Sequence, residues 1–237
     1  MASESSSLNP KVTHVGRRTV LGLTGLGVVG VAAGASIQRA VSGPLGAVSK
    51  HLGALGSVLP DQGFQIFTVT GTLPVISPTA YRLRVDGLVD RPLSLSLDDL
   101  RGDFPRTKLV RTFQCVTGWF VPDVHFEGVH LSHILERAGV KHGASALRFF
   151  SGDGVYTESL TLEQAQQLPD VIVADKMIGS DVSVQHGGPV RMYVAPMYGY
   201  KSTKWLDRIT VTDHVVPGYW EGYGYAVDGW INGVVER

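Results

Sequence analysis

The sequence predicts an α+β domain of mixed sheets with short helices, preceded by an N-terminal export segment. Three observations lead to this prediction. Short runs with strand-type patterning are mixed with short helical patterns, and no regular strand–helix–strand repeat of a doubly wound sheet is seen. In addition, a basic stretch leads into an uncharged run before any packed pattern begins. We therefore expect a signal or membrane anchor over residues 1–38, a linker over 39–60 and the folded domain over 61–237.

The export segment is predicted from two arginines, Arg17 and Arg18, that directly precede the uncharged run 19–37. This arrangement resembles a twin-arginine signal, which carries proteins already folded, often around a cofactor. Ala33-Gly34-Ala35 could serve as a cleavage site, yet the run is also long enough to anchor the chain in a bilayer. Both alternatives stay open. In either case the basic flank stays in the cytoplasm and the rest of the chain is expected outside it.

The first elements of the domain follow from alternation and capping patterns. Residues 81–85 alternate apolar with charged side chains, as a half-buried strand does, and Asp86-Gly87 predicts a turn. Ser96-Leu-Asp-Asp99 matches a capping box, which predicts a short helix that ends before Pro105. Residues 131–138 have helical spacing, with Ser132 as the candidate cap and Gly139 as the stop.

The second half of the domain predicts further short strands around one helix. Thr161-Leu-Glu-Gln164 is another capping box, and Pro169 ends the helix that it opens. Apolar, β-prone runs predict strands over residues 146–151, 171–174, 190–194 and 209–212. The aromatic and glycine-rich stretch 218–225 admits two interpretations: a tail whose rings cover the core, or one wall of a pocket.

The composition excludes some classes of partner. The formal net charge is +0, with 21 basic and 21 acidic residues, so nothing favours nucleic acid or an acidic polymer as a ligand. Three histidines lie close together at His125, His130 and His133, but neither a His-Glu-x-x-His helix nor paired cysteines accompany them. Ordinary histidines are therefore favoured over a zinc site. No G-x-S-x-G elbow of a serine hydrolase occurs.

Cys115 is the most informative single residue, because it is the only cysteine in 237 residues. It cannot form an intramolecular disulfide, which leaves an inert side chain, a nucleophile or a metal ligand. It follows the strand-like run 109–113 and precedes Gly118, so we expect it where a strand breaks into a loop. Such loops, held by a rigid scaffold, often carry reactive groups.

A second segment has the composition of an anion site. It runs from His186-Gly-Gly-Pro-Val-Arg191 to Tyr198-Gly-Tyr-Lys-Ser-Thr-Lys204. Its glycines let backbone N–H groups approach an anion, and its side chains add charge from Arg191, Lys201 and Lys204 and hydroxyls from Ser202 and Thr203. The segment suits a phosphate-bearing ligand. The alternative is a strand, a turn and a strand with solvated charges.

Together these motifs resemble those of the molybdopterin-dependent oxidoreductases of the sulfite oxidase fold, most of all the catalytic subunits of periplasmic protein-methionine-sulfoxide reductases. The resemblance covers about residues 64–225. It rests on Cys115-Val-x-x-Trp119 with the downstream Gly128-x-x-Leu131, and on the Gly-x-Pro-Val-Arg block ending at Arg191 with the Tyr-Gly-x-Lys-Ser block that follows. The resemblance implies a sulfite-oxidase-type molybdopterin-binding domain with the molybdenum cofactor.

The resemblance also implies roles for individual residues. Cys115 is the expected catalytic residue and thiolate ligand of molybdenum. The expected cofactor-binding residues are those that match the family's phosphate and pterin contacts: Ser151, His186, Arg191, Ser202, Thr203 and Lys204. Near the start of the domain the reductases have an asparagine and a Tyr-Glu pair, whereas this chain has Phe64 and Phe67-Thr68. Different contacts are therefore expected there.

The implied activity is oxygen-atom transfer, with reduction of a small-molecule or protein-bound S-oxide. A membrane haem or quinone-linked subunit is the expected electron donor, and the catalytic domain is expected to be monomeric. No arginine lies in the loop that directly follows Cys115, which favours neutral substrates, although Arg111 leaves sulfite-type oxidation open. A third alternative is a non-catalytic, membrane-tethered binding module with the same fold.

Overall fold

The structure is a computed structural model that describes residues 63–231. The predicted signal over 1–38 and linker over 39–60 lie outside the described residues, as do residues 232–237. The described part contains ten β-strands, three short α-helices and two 3₁₀ turns. Strands and helices are mixed along the chain without a strand–helix–strand repeat. The α+β prediction is confirmed.

Two five-stranded sheets form the frame. The first has the strand order β2-β1-β10-β5-β6, in which β1 and β10 are parallel and the other neighbours are antiparallel. Its strands are β1 (Leu83–Gly87), β2 (Leu93–Leu95), β5 (Ala146–Ser151), β6 (Thr157–Thr161) and β10 (Leu206–Thr212). The predicted strand over 81–85 therefore begins and ends two residues later than expected, and Asp86 and Gly87, predicted as a turn, are its last two residues. Gly87 closes β1 at a positive φ of 86°.

The second sheet has the order β3-β4-β7-β8, and β9 also pairs with β7. Its strands are β3 (Arg106–Gln114), β4 (Phe120–His130), β7 (Val171–Met177), β8 (Ser180–Asp181) and β9 (Arg191–Val194). Strands β3 and β4 form a long antiparallel hairpin, with Gln114 opposite Phe120 at its tip. Strand β4, with eleven residues, is the longest and was not predicted from the sequence.

The three helices are short and begin largely where the sequence predicts. Helix α1 (Leu97–Gly102) begins at the Ser96/Asp99 capping box. Helix α3 (Leu162–Gln167) begins at the Thr161/Gln164 capping box. Helix α2 (Leu131–Ala138) ends at Gly139 in a left-handed conformation, as expected. Among residues 63–231, no helix is long and apolar enough to cross a membrane.

The predicted cap of α2 was wrong by two residues. His130, not Ser132, is the N-cap residue, and its ring nitrogen Nδ1 accepts a hydrogen bond from the Ser132 backbone N–H at 3.3 Å. The other ring nitrogen bonds the carbonyl of Leu168 at 2.9 Å. Both ring nitrogens of His130 are thus engaged in holding the helix start, which gives this histidine a structural role.

The core has two parts, one on each face of β7. Val171 and Val173 pack into the larger cluster, which also holds the apolar faces of the first sheet and the helices. Ile172 and Ala174 point the other way, into a smaller cluster beneath the β3–β4 hairpin. Because both faces of β7 are buried, its first four residues, Val171 to Ala174, form a continuous apolar run and do not alternate. Strand β7 is therefore the central layer of the domain.

Gly128 allows β4 to lie against β7. A Cβ atom at this position would lie 2.1 Å from the carbonyl oxygen of Val173 and 2.7 Å from the Cα of Ala174. The pairing of the two strands shifts register next to Gly128, between Glu127 and Gly128. The glycine that the resemblance pointed to is therefore explained by close backbone approach.

Candidate functional site

A cavity of about 370 Å³ opens between the Cys115 loop and the segments that surround it. Its walls come from residues 64–69, from Ser151 at the end of β5, from the turn 199–204 and from the C-terminal segment 219–225. With residues 113–119 and 185–191, six separate stretches of chain meet here. The two sequence segments that carry the family resemblance, around Cys115 and around Arg191, are brought to the same cavity.

Cys115 lies at the tip of the β3–β4 hairpin. Its backbone N–H donates to the carbonyl of Trp119 at 2.9 Å, and its carbonyl accepts from the N–H of Gly118 at 3.1 Å. Gly118 has a φ of 101°, which favours glycine at the turn. The half-buried Sγ lies 3.2 Å from the hydroxyl of Thr117. The expected strand-to-loop position is confirmed, and the thiol is held on the cavity wall by hydrogen bonds of its own loop.

Arg191 supplies a buried positive charge to the cavity. Its side chain is 3% exposed, and its three nitrogens donate to the carbonyls of Met192, His186 and Ser202 at 3.2, 2.6 and 3.2 Å. Among the described residues no carboxylate pairs with it. Burial lowers the pKa of Arg191 to about 10, a value at which it remains charged at neutral pH. An anion in the cavity would be its counter-ion.

Lys204 adds a second cation to the wall. Its ammonium donates to the carbonyl of Phe67 and lies 4.3 Å from the centre of the Trp205 ring. Burial, and then repulsion by Arg191, lower the pKa of Lys204 to about 8. The two neighbouring positive charges therefore repel each other, and a bound anion would stabilise both. Phe67 takes part in this wall through its backbone carbonyl.

The remaining predicted binding residues do not all reach the cavity. Ser151, Ser202 and His186 line it. The hydroxyl of Ser202 accepts from the Val194 N–H at 3.0 Å, so its proton remains available to a ligand. Thr203 instead is fully buried behind the wall, where its hydroxyl has no hydrogen-bond partner among the described residues. Thr203 is the one predicted contact that does not line the cavity.

The role assigned to Lys201 in the anion segment was wrong. Its side chain is 0% exposed, and its ammonium donates to Glu158 at 2.6 Å and to Glu221 at 2.9 Å. Two carboxylates thus take up the charge behind the cavity wall. Arg111 is likewise engaged, in a bidentate pair with Asp170 at 2.7 and 3.1 Å. Neither residue lines the cavity.

Aromatic side chains form much of the wall, and sequence reasoning identified few of them. Tyr219, Trp220 and Tyr225 line the cavity, which supports the pocket-wall interpretation of residues 218–225. Tyr156 also lines it and donates to the carbonyl of Tyr200 at 2.5 Å. The only signal in the sequence was the density of rings near the C-terminus; nothing local marks Tyr156.

Phe64 joins the Cys115 loop to the anion segment. Its ring lies 5.4 Å from the ring of Phe113, 6.2 Å from that of Trp119 and 4.9 Å from that of His186. Phe64 therefore contributes packing contacts to this part of the cavity.

Comparison with known proteins places this arrangement in a family. A model described as oxidoreductase molybdopterin binding domain matches residues 70–220. The chain is 36% identical over 183 residues to the uncharacterized oxidoreductase YuiH of Bacillus subtilis, covering 75% of this chain and 91% of YuiH.

Two curated relatives of known type are more distant. The chain is 31% identical over 180 residues to the sulfite oxidase of Gallus gallus, and 28% identical over 159 residues to the protein-methionine-sulfoxide reductase catalytic subunit MsrP of Ralstonia nicotianae. These matches cover 65% and 61% of this chain, but 39% and 47% of the two relatives.

A solved structure shows the same fold. The sulfane dehydrogenase SoxCD from Paracoccus pantotrophus matches with a TM-score of 0.55 and 24% identity, over 65% of this chain and 45% of that one.

The residues present suit the cofactor of this family. One soft thiol, Cys115, and a buried guanidinium without a described carboxylate partner, Arg191, line the same cavity. They match a ligand that carries a thiophilic metal and an anionic group. With the family model matching most of the chain, this protein belongs to the molybdopterin-binding oxidoreductases of the sulfite oxidase fold and is an enzyme of the molybdenum cofactor.

Proposed function

We propose that this enzyme reduces neutral S-oxides by oxygen-atom transfer. The observation that carries the proposal is the make-up of the cavity wall. Among the described residues that line it, Arg191 and Lys204 are the only lysine or arginine side chains, and aromatic rings form much of the rest. An apolar wall with few cations suits an uncharged substrate, because an anion would lose its hydration there without gaining enough partners.

The roles of the residues follow from their chemistry. When bound, the molybdenum cofactor supplies the exchange of an oxygen atom against two electrons. The thiolate of Cys115 would hold the metal from the hairpin tip, and Arg191 and Lys204 would bind the anionic group of the pterin. The hydroxyl protons of Ser151 and Ser202 can be donated to the same group. The protein thus binds and orients, while the cofactor carries the chemistry.

The overall reaction balances with two electrons and two protons. The S-oxide loses its oxygen as water and leaves as a thioether, and both electrons come from a donor protein. A membrane haem or quinone-linked subunit is proposed as that donor. The names of the relatives support this, since one is the catalytic subunit of a reductase that by its name has further subunits.

A two-way assay tests the proposal. Purified, metal-loaded enzyme would be supplied with reduced viologen and an aryl methyl sulfoxide, and separately with sulfite and ferricyanide. We expect kcat/KM for the sulfoxide to exceed that for sulfite by about a hundredfold, because a site with few partners for an anion disfavours sulfite. Cys115→Ser should lose both activities, whereas Glu136→Ala, at a carboxylate 84% exposed, should keep them. Sulfite turnover without sulfoxide turnover would refute the proposal.

Sulfite-type oxidation is the second candidate. It is favoured by the two cations on the wall, Arg191 and Lys204, and by the 31% identity to a sulfite oxidase. It would require that these cations face the substrate and not the cofactor. Arg111 does not help this candidate, since its guanidinium is paired with Asp170. In the same assay this candidate predicts saturable sulfite oxidation that Lys204→Met weakens mainly through KM.

We propose further that the enzyme is exported by the twin-arginine route and works outside the cytoplasm. The support is the Arg17-Arg18 pair ahead of the uncharged run 19–37. Replacing both arginines by lysine keeps the charge and should leave the protein in the cytoplasm, whereas replacing Lys11 by arginine should not. Fractionation of cells that express each variant would show this. Export of the double lysine variant at the native level would contradict the route.

A further inference from the structure

A buried cluster of charged side chains lies directly behind the cavity wall. The ammonium of Lys201 donates to Glu158 Oε1 at 2.6 Å, to Glu221 Oε1 at 2.9 Å and to the carbonyl of Val227 at 2.8 Å. A lysine has three N–H donors, and all three are used. The side chains of the three charged residues are no more than 1% exposed. We call Glu158, Lys201 and Glu221 the clasp.

The clasp joins three stretches of chain that are far apart in sequence. Glu158 lies in β6, Lys201 in the 3₁₀ turn Gly199–Lys201, and Glu221 in the 3₁₀ turn Glu221–Tyr223. Each partner of Lys201 is 20 or more residues away along the chain. No other residue within the described range makes ion pairs to both of these distant segments.

The cluster holds one proton more than its fully ionised form. The second carboxyl oxygens of Glu158 and Glu221 are buried and have no donor among the described groups. A proton shared between the two carboxyls supplies that donor. Burial, opposed by Lys201 and assisted by Glu221, raises the pKa of Glu158 to about 9, whereas that of Glu221 is lowered. The clasp is therefore one ammonium, one carboxylate and one carboxylic acid, with no net charge.

Such a cluster is a poor means of adding stability. Removing charges from water costs several kcal/mol per ion, and an apolar replacement of the same volume is often as stable. What a buried network adds is a defined geometry, because each hydrogen bond is satisfied in one arrangement only.

The geometry that is defined here is that of the cavity. Tyr200 and Ser202 flank Lys201 in sequence, Trp220 flanks Glu221, and all three line the cavity. Two glycines let the segments close on the clasp. A Cβ at Gly229 would lie 2.5 Å from Lys201 Cγ, and one at Gly218 would lie 2.9 Å from the Cα of Glu158. The back of the wall is thus packed tightly on the clasp.

Beyond the clasp, residues 219–225 themselves have few other ties to the rest of the domain, and the chain is also held on either side of them: the hydroxyl of Ser159 donates to the carbonyl of Val216 at 2.7 Å, and the N–H of Tyr198 donates to the carbonyl of Gly229 at 2.8 Å. The N–H of Tyr219 donates to the carbonyl of Thr157 at 2.9 Å, and the hydroxyl of Tyr200 donates to the carbonyl of Ala226 at 2.6 Å. Tyr223 is 69% exposed, so the outer side of the segment faces solvent. The segment depends on its inner side for position.

We infer that the clasp is a positioning device: Glu158, Lys201 and Glu221 fix residues 219–225 as the substrate-facing wall and so set the space in which the substrate is bound. The substrate-facing role rests on the proposed function. None of the three residues lines the cavity. They act through Tyr200, Trp220 and Tyr225, which do.

Three full-length variants test this inference. Glu221→Ala removes the acceptor from Lys201 and the partner of the shared proton. Glu221→Gln keeps both bonds, since its amide oxygen can accept from Lys201 and its NH₂ can donate to Glu158. Glu136→Ala removes an exposed carboxylate on α2 and is the control. Each protein is studied with and without its cofactor.

The first readout is amide hydrogen exchange in peptides that cover residues 219–225. We expect Glu221→Ala to accelerate exchange in this segment by about tenfold or more while β5 and β7 stay protected, because local opening need not spread to the core. The glutamine variant should stay close to the native protein. Exchange that is unchanged in the alanine variant, or accelerated equally in β5 and β7, would overturn the inference.

The second readout is the kinetics of sulfoxide reduction. A displaced wall should raise KM for an aryl methyl sulfoxide by about tenfold with kcat and molybdenum content retained, and the glutamine variant should restore native KM. A fall in kcat without a change in KM would overturn the positioning role. If the native enzyme reduces no sulfoxide, the proposed function fails, but the exchange experiment still decides whether the clasp fixes the wall.

Discussion

Replacing Glu158 by glutamine should change how the stability of this enzyme depends on pH. The carboxyl of Glu158 is fully buried, bonded to Lys201, and close to Glu221. Tyr156 and Tyr200 also face it, but their pKa values are raised above the usual value for tyrosine, so they stay neutral below pH 9. Glutamine has nearly the same shape, keeps an acceptor for Lys201 and cannot titrate. The variant therefore removes the proton and little else.

The sign and size follow from the pKa of about 9 against an ordinary value of 4.5. Between these values the native protein holds a proton that the unfolded chain has released, so stability falls as pH rises. Each pH unit in this window changes the free energy of unfolding by up to about 1.4 kcal/mol, or about 4 kcal/mol from pH 5 to 8. Because the protein around a buried carboxyl relaxes when the carboxyl ionises, the change in the free energy of unfolding should be about half of this, roughly 2 kcal/mol.

Other groups with shifted pKa values do not obscure this window. The pKa of Glu221 is lowered, so its effect lies below pH 5. Lys204 titrates near 8 in the folded protein, so its effect lies above that, where it raises stability with pH. All remaining charged groups are common to both proteins and cancel in the difference.

The assay is urea unfolding of the cofactor-free enzyme at pH 5, 6, 7 and 8, for the native protein, Glu158→Gln and the exposed control Glu136→Gln. The native protein and the control should lose stability in parallel as pH rises, while Glu158→Gln should lose about 2 kcal/mol less. If the difference between the native protein and Glu158→Gln stays constant within about 0.5 kcal/mol, then Glu158 does not hold a proton in the folded protein and the reasoning fails.

Three further predictions concern the frame and the cofactor site. Gly128→Ala places a methyl group 2.1 Å from the carbonyl oxygen of Val173 and should lower the free energy of unfolding by about 3 kcal/mol or more. The control Gly102→Ala meets no atom within 4 Å and should unfold at the native temperature. Equal melting temperatures of the two variants would contradict the close approach. Arg191→Lys keeps a charge, but a single ammonium cannot reach the three carbonyls that the guanidinium fork spans, so the pterin content of the purified protein should fall about tenfold, and normal content would contradict its role. Cys115→Ser should retain pterin but alter the molybdenum absorption spectrum and lower kcat more than about a hundredfold; a native spectrum would exclude Cys115 as the ligand.

The sequence predicted best those elements whose signal is local. The two capping boxes opened helices because Ser96 and Thr161 reach residues only three positions away. Strand β7 was predicted from its apolar run, although its true length extends to Met177. Strand β4 was missed because Pro122, Asp123 and Gly128 are all residue types that strands disfavour. Its pairing with β3 and β7 overrides these local signals.

The site shows the same limit. Cys115 and Arg191 were predicted because they belong to short motifs, and both line the cavity. Lys201 was misassigned because its partners, Glu158 and Glu221, lie 43 and 20 residues away, where no spacing rule connects them. Thr203 was grouped with its neighbours in the motif, but its side chain is fully buried and does not line the cavity.

The guanidinium of Arg191 lies near the rings of Phe113 and Phe126, and its hydrogen bonds go only to carbonyl oxygens, which links cofactor binding to stability. A guanidinium that is 3% exposed and has no described carboxylate partner destabilises the folded, cofactor-free protein, because its charge is buried without a counter-ion. An anion that binds in the cavity supplies the missing counter-ion. The cofactor-free and the loaded protein therefore differ in free energy of unfolding by the full binding free energy at the prevailing ligand concentration. A protease or translocase that acts on transiently opened molecules therefore acts more readily on the cofactor-free protein than on the loaded protein, without contacting the metal.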